Sequence, residues 1–419
     1  MPSVIKPRVV VIGAGAAGTI AAIFSASTGA DTLLLERTKD GGRKILISGG
    51  GRCNILPTVA DESRFVSDSP PHLVRRILRS WPLRDQIDFF QREAGIPLVE
   101  EPETAKLFPA SQSGRDVRDR LIALAGQRGA TVLMNAWVTG VTRPTTDPSQ
   151  AGWHIRLAGG AEQIPADAVV VATGGLSVPQ TGSDGGGLRM VEGLGHEVRP
   201  TYAALTPLTA DRAPFAELAG VSVPVTITAR ADRISATATG GFLFTHRGYS
   251  GPAVLDVSHV AVRSRTETTV PARIKVQWTT RDEKEWEAVF RAGGNRSIAR
   301  VLSREIPQRL ADALLAAADV ESRRTLANLS RQERHRVIEV LVRGDLPWTG
   351  DEGYKKAEVT GGGVRLSEID PKTMESRKHK GLFLCGEMLD AFGPIGGHNF
   401  LWAWATGRAA GLAAGASIA

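Results

Sequence analysis

The chain has 419 residues, 42% of them hydrophobic, enough for two or three domains with buried cores and unlike a disordered or fibrous protein. No run reaches the roughly 18 apolar residues that span a bilayer, and the start passes directly into a strand, which predicts a cytoplasmic protein with no membrane partner. A formal charge of +7 favours anionic partners, while two distant cysteines, Cys53 and Cys385, argue against a disulfide framework, a dithiol relay or a zinc cluster, so no metal is expected.

In chain order, "RVVVI" (8–12) predicts a buried strand and "GAGAAG" a turn. An alanine-rich helix then runs to Thr28, and "ADTLLLE" forms a second strand ending at Glu36, completing a parallel βαβ unit. Basic residues outnumber acidic ones seven to three over residues 1–60, an excess that a phosphorylated cofactor accounts for. "GGRKILISGGGRCN" (41–54) concentrates glycines and cations in front of Cys53. Residues 72–95 carry Leu73, Ile77, Leu78, Ile87 and Phe90 at helical spacing, and another helix is expected near 115–128. "TVLMNAWVTGVT" and "WHIRLAGG" read as sheet segments, and "ADAVVVATGG" as a buried strand closing on Thr173, Gly174 and Gly175.

From 195 to 280 the alternation of short segments predicts an inserted antiparallel sheet or small barrel; 281–349 reads as a charged helical subdomain. Residues 350–419 return to the first style, with a strand in "KHKGLFLCGE" and a glycine turn opening an apolar helix in "GGHNFLWAWATGRAAGLAA". The expected architecture is a discontinuous α/β domain, 1–194 with 350–419, interrupted by a β and a helical insertion.

Gly13, Gly15 and Gly18 form G-x-G-x-x-G between a strand and a helix, with Glu36 placed for a ribose; that context points to a dinucleotide. The return of the fold at the far end favours FAD over NAD. Gly396 and Gly397 at a helix start would stabilise charge on a reduced flavin ring, and Glu387 would hold the ribitol. No second fingerprint exists, so NAD(P)H is expected only as a transient reductant.

Taken together, "GGRKILISGGGRCN", "KLFP", "VATGGLSVPQTGSDG", "FLFTHRGYSGPAVL" and the block from "GGGVRLSEID" to "WAWATGRAAG" resemble the bacterial YhiN/BaiN/aminoacetone oxidase-like FAD-dependent flavoprotein family over nearly the whole chain. The resemblance implies a Rossmann-like, glutathione-reductase-like FAD domain with an inserted antiparallel β-barrel and a helical subdomain. It implies Gly13, Gly15, Ala16, Ala17 and Gly18 at the pyrophosphate and Glu36 at the ribose, with Arg37 also a cofactor-binding residue. Gly42, Arg43, Lys44, Gly51, Cys53 and Asn54 would run along the cofactor towards its ring. Val138 would meet adenine through its backbone, near Thr173, Gly174 and Gly175. Gly386 and Glu387 would meet the ribitol, and Gly396, Gly397, His398, Asn399 and Phe400 the flavin. Where the family has threonine and tyrosine in the final glycine motif, this chain has Ile395 and His398.

A flavin exchanges hydride at N5, and the protein supplies orientation, charge and a proton donor. Cys53 is a candidate acid if Arg43, Lys44 and Arg52 lower its pKa, or else a small packing residue. His398 is a second candidate. Tyr249, with His246 and Arg247, either covers the flavin or forms an edge turn. The resemblance implies three reactions: oxidation of a small aminoketone, reduction of a steroid-like enone, and reduction of uridine to dihydrouridine in ribosomal RNA. The basic balance favours the last, with a non-turnover flavin sensor as the non-enzymatic alternative.

Overall fold

The computed structural model describes residues 8–143, 152–160, 163–210 and 215–418. It divides into two compact units, residues 1–201 with 359–419, and residues 202–358.

The first unit is built on a five-stranded parallel sheet. Arg8–Ile12 lies at its centre, between Asp31–Leu35 and Ala168–Val171; Thr131–Leu133 extends one side and Leu382–Leu384 the other. Val9, Val10 and Val11 are fully buried, as β-branched residues in a strand covered on both faces should be. The chain's far end supplies Leu382–Leu384 and the terminal helix His398–Ala416 to this same unit.

That helix packs against the first helix, Ala16–Ala26, through Gly407 and Gly411. A Cβ on Gly407 would overlap the Ala17 carbonyl, and one on Gly411 the Ala21 carbonyl. Two bare turns thus let the backbones approach closely enough to leave both helices almost wholly buried. The helical spacing over 72–95 yields two helices, Pro71–Arg79 and Leu83–Asp88, the second running on into a wider turn at Phe89–Glu93. Pro82, between them, lacks the N–H that would continue the first.

The second unit holds a seven-stranded antiparallel sheet, whose centre is the hairpin Ser222–Ala231 and Ile234–Thr245. It departs from the expected texture in two ways. Pro252–Glu267 is a helix of 16 residues, where the sequence reading had only β structure. Proline at its first position and buried Ala253, Val254, Val257, Val260, Ala261 and Ser264 at helical spacing carry that signal. The helical block also has no core of its own: Trp286, Phe290, Leu310, Val337 and Leu341 join Ile274, Val276 and Trp278 of the sheet in one cluster. Sheet and helices therefore form one body, bounded at 202 and 358 instead of the expected 195, 280 and 349. Among the described residues, no helix is long and apolar enough to cross a membrane.

Candidate functional site

The glycine turn follows directly from the strand Arg8–Ile12. Gly13, at φ 101°, donates its N–H to the Leu35 carbonyl at 2.7 Å, and a Cβ there would come 2.7 Å from the Ala172 carbonyl oxygen. A Cβ on Gly18 would overlap the Gly13 carbonyl. Gly15 is different: a Cβ there meets nothing within 4 Å, and it stands at the start of a helix that no side chain caps. Two glycines thus serve the turn, and the third opens space beside helix N–H groups that lack intrahelical acceptors. Ala16 and Ala17 begin that helix.

Glu36 is held beside this turn. Its carboxylate accepts from Ala14 N at 2.8 Å, Thr38 N at 2.7 Å and Thr38 Oγ1 at 2.6 Å. Two oxygens offer about four acceptor directions, so one remains for a ribose hydroxyl. Arg37 pairs with Asp184 and lies over the half-exposed Trp137 ring, 4.5 Å from its centroid. Val138 follows Trp137 and is buried in the strand Val138–Thr142.

Gly42, at φ 58°, donates to the Ala14 carbonyl at 2.8 Å, which ties the 41–54 stretch to the glycine turn. A short helix, Arg43–Ile47, leads to Gly51 and Cys53, both with positive φ. Here the structure corrects an expectation. Cys53 is fully buried, and that burial pushes its thiol up to about 12, against a smaller opposing pull from a hydrogen bond with the Ser48 side chain. Its three cationic neighbours in sequence are engaged elsewhere. Arg43 pairs with Asp40, Lys44 with Glu387, and Arg52 with Glu101 while lying over Phe108. Thiol activation by these cations is therefore absent.

Glu387 sits in a network that spacing could not reveal. Lys44 Nζ contacts its Oε2 at 2.5 Å and donates to Ser177 Oγ at 2.6 Å; Ser177 Oγ and Thr360 N and Oγ1 in turn donate to Glu387 Oε1 at 2.6, 3.0 and 2.9 Å. Burial opposes its ionisation, but Lys44 and these donors outweigh it and hold the carboxyl below its ordinary value. Thr360 Oγ1 also accepts from Leu176 N and Ser177 N, fixing the loop after Gly174 and Gly175. Thr173 Oγ1 is buried with no partner among the described residues. Gly386 donates to Thr406 Oγ1 and accepts from Trp402 Nε1, which joins this loop to the terminal helix.

The terminal helix begins after Gly396 and Gly397, at φ 114° and 94°, with no side-chain cap. Asn54, with its amide oriented to satisfy both neighbours, accepts from Gly397 N at 3.0 Å and donates to the Leu56 carbonyl. Asn399 brackets Gly393, accepting from its N–H and donating to its carbonyl, both at 2.9 Å. Phe400 stacks on Trp404. The His398 ring is buried, and both its nitrogens lack a hydrogen-bond partner among the described residues. Burial, helped by Arg64, lowers it to about 4, despite the facing carbonyls of Ile395 and Val59, so it is neutral at neutral pH.

Tyr249 belongs to the other unit. It is fully buried beside Phe242 and Phe244, and its hydroxyl has no partner among the described residues, so the ring is part of the insertion's core with no surface to offer a reactant. His246 and Arg247 are exposed at the turn beside it, Arg247 near Glu352.

These residues fit a dinucleotide: open space at one helix start beside a carboxylate, and a second uncapped helix start with an orphaned buried histidine. The family profile described as "HI0933-like protein Rossmann domain" matches residues 7–413. The chain is 32% identical over 401 residues, 95% of each chain, to the ribosomal RNA dihydrouridine synthase of Escherichia coli (strain K12). It is 31% identical over 417 residues, 97% of this chain and 98% of the relative, to the 3-dehydro-bile acid delta(4,6)-reductase of Clostridium scindens. Among solved structures, the 3-ketosteroid delta1-dehydrogenase of Sterolibacterium denitrificans shares the fold, at a TM-score of 0.52 and 12% identity over 98% of this chain and 100% of that one.

Proposed function

The chain belongs to the HI0933-like Rossmann-domain family and is an FAD-dependent oxidoreductase; from that premise we propose that it reduces uridine to dihydrouridine in ribosomal RNA, with NAD(P)H as transient reductant. The observation that carries this reading is end-to-end similarity to a relative named for that reaction. Such a substrate places the protein in the cytoplasm.

When bound, FAD supplies hydride transfer at N5 of its ring. The first helix start, at Ala16 and Ala17 beyond the open Gly15, holds the pyrophosphate, and Glu36 accepts from the adenosine ribose. Lys44 and Glu387 fix the loop from Gly174 to Ser177 along the cofactor. The uncapped terminal helix start at Gly397 would favour negative charge on a flavin ring held beside it.

Reducing the uracil double bond adds a hydride to one carbon and a proton to the other. His398, neutral at neutral pH, is a poor acid, and with both ring nitrogens buried it packs at the start of the terminal helix, so proton delivery is left to solvent. Cys53, buried and protonated, is a packing residue in this reading.

Deleting the gene and measuring dihydrouridine in ribosomal RNA by mass spectrometry tests the proposal: the modified nucleoside should disappear and return on complementation. An unchanged level sinks it. A second reading, reduction of a steroid-like enone, is supported by the similarity to the Clostridium scindens enzyme. It predicts rapid reoxidation of the NADPH-reduced protein by a conjugated steroid ketone in anaerobic stopped flow.

A further inference from the structure

The charge excess of the second unit sorts into two populations once ion pairs are mapped. Between 281 and 343, Arg281, Arg291, Arg324, Arg334, Arg336 and Arg343 each face a carboxylate. Arg296, Arg300, Arg304 and Arg323 form no ion pair among the described residues and are exposed, as are Lys284, Arg331 and Arg309, the last donating to the Glu217 carbonyl; the first four lie on two hydrogen-bonded segments.

The backbone gathers them. Segment 294–299 runs antiparallel to 322–327, tied by a bridge between Ser297 and Thr325. Leu326 N donates to the Arg296 carbonyl at 3.1 Å, Ile298 N to the Arg324 carbonyl at 2.8 Å, and Ala299 N to the Ser322 carbonyl at 3.3 Å. Arg296 thus lies in one segment of a hydrogen-bonded pair and Arg323 in the other. Arg300 lies in the short helix Ile298–Leu302 that continues the first segment, and Arg304 lies in the turn beyond it, where its N–H donates to the Val301 carbonyl at 3.4 Å.

Of the nearby carboxylates, two are engaged elsewhere and one, Glu321, offsets a single charge of the four. Glu305 is engaged by Arg281 at 2.5 Å and Glu333 by Arg324 at 2.6 Å. Glu321, beside the second segment, forms no ion pair among the described residues. Like charges gathered on neighbouring segments repel one another, a cost that an anionic partner removes. Guanidinium groups, planar and multiply donating, suit phosphate oxygens.

Resting on the ribosomal RNA reading above, we propose that Arg296, Arg300, Arg304 and Arg323 form a docking surface for the phosphate backbone of the RNA substrate. The surface takes phosphates and reads no base, so it positions the substrate without selecting the uridine.

The test uses the full FAD-loaded chain and ribosomal RNA purified from cells lacking the protein. RNA affinity is measured across a salt series for the wild type, for R296Q/R300Q/R323Q, and for the same three positions changed to lysine. Each phosphate neutralised on a single strand contributes about 0.7 to the slope of log affinity against log salt, so the glutamine variant should lose about 2. The lysine variant should keep the slope. NADPH-driven flavin reduction and thermal unfolding should match the wild type in both. An unchanged slope in the glutamine variant overturns the proposal, as does a wild type without salt-dependent RNA affinity. RNA held through this surface but never converted would instead refute the dihydrouridine reading and leave the surface standing. Converted RNA with an unchanged slope would do the reverse.

Discussion

Gly15 and Gly18 lie three residues apart in one motif, yet a methyl group would act on them in opposite ways. At Gly15 the added Cβ enters open space and the backbone, at φ −80°, accepts any residue, so G15A should fold with wild-type stability. Because that space lies at the helix start where a pyrophosphate would rest, the variant should lose FAD affinity at least tenfold. At Gly18 the Cβ would overlap the Gly13 carbonyl, forcing the helix off the turn and destabilising the fold by about 1–3 kcal/mol, the usual cost of overpacking. FAD titration and thermal unfolding of the two apoproteins separate these outcomes; equal stability would show that the turn is not packed as described. The glycine turn and the placing of Glu36 beside it were legible because they depend on local backbone geometry. Cys53 was left open between acid and packing residue for the opposite reason: the three cations near it in sequence each turn to a carboxylate, and only the folded chain shows where they go.

Among the elements, the short helix Arg43–Ile47, the loop after Gly174 and the turn at Gly386 are clamped by one ion pair, Lys44 with Glu387. The side chains are 25% and 18% exposed, so removing one partner strands a poorly hydrated charge. K44M should cost about 3 kcal/mol at pH 7, the lower end for a broken buried pair. The sign with pH follows from Glu387. Its folded pKa lies below the ordinary 4.5, so its contribution is present above that value and is lost as pH falls through the folded value. The difference between K44M and wild type in urea unfolding should therefore be largest near pH 7 and shrink as pH is taken below 4.5 to about 3, and a difference unchanged over that whole range would refute the clamp. Ser177 and Thr360 escaped the sequence reading since they lie 133 and 316 positions from Lys44, a separation no periodicity records. The helix Pro252–Glu267 carried an adequate signal in its apolar spacing, but the β texture on either side obscured it.

For the whole molecule, the discontinuity of the first unit was legible because both ends of the chain share one style of buried strand and glycine turn. The limits of the insertion were not, since sheet and helices with different local patterns share one core around Trp278, Trp286 and Leu341. That core makes a specific demand. Residues 202–358 are continuous, have their own buried cluster and begin and end close together, with Glu358 N donating to the Leu205 carbonyl at 3.1 Å. A segment of this size with one contiguous core is large enough to fold alone. Excised, it should unfold cooperatively by circular dichroism. Cutting the insertion at 280, as its sequence texture invites, should leave neither part folded, because the sheet loses its helical cover. The complementary chain, with residues 206–357 replaced by a short glycine linker, should retain FAD, whose proposed ligands all lie in the first unit. It should also lose the salt-dependent RNA affinity assigned to Arg296, Arg300, Arg304 and Arg323. A linker protein that binds RNA as the wild type does would place the phosphate contacts in the first unit, and an excised segment without a cooperative transition would show that the insertion depends on the first unit for its stability.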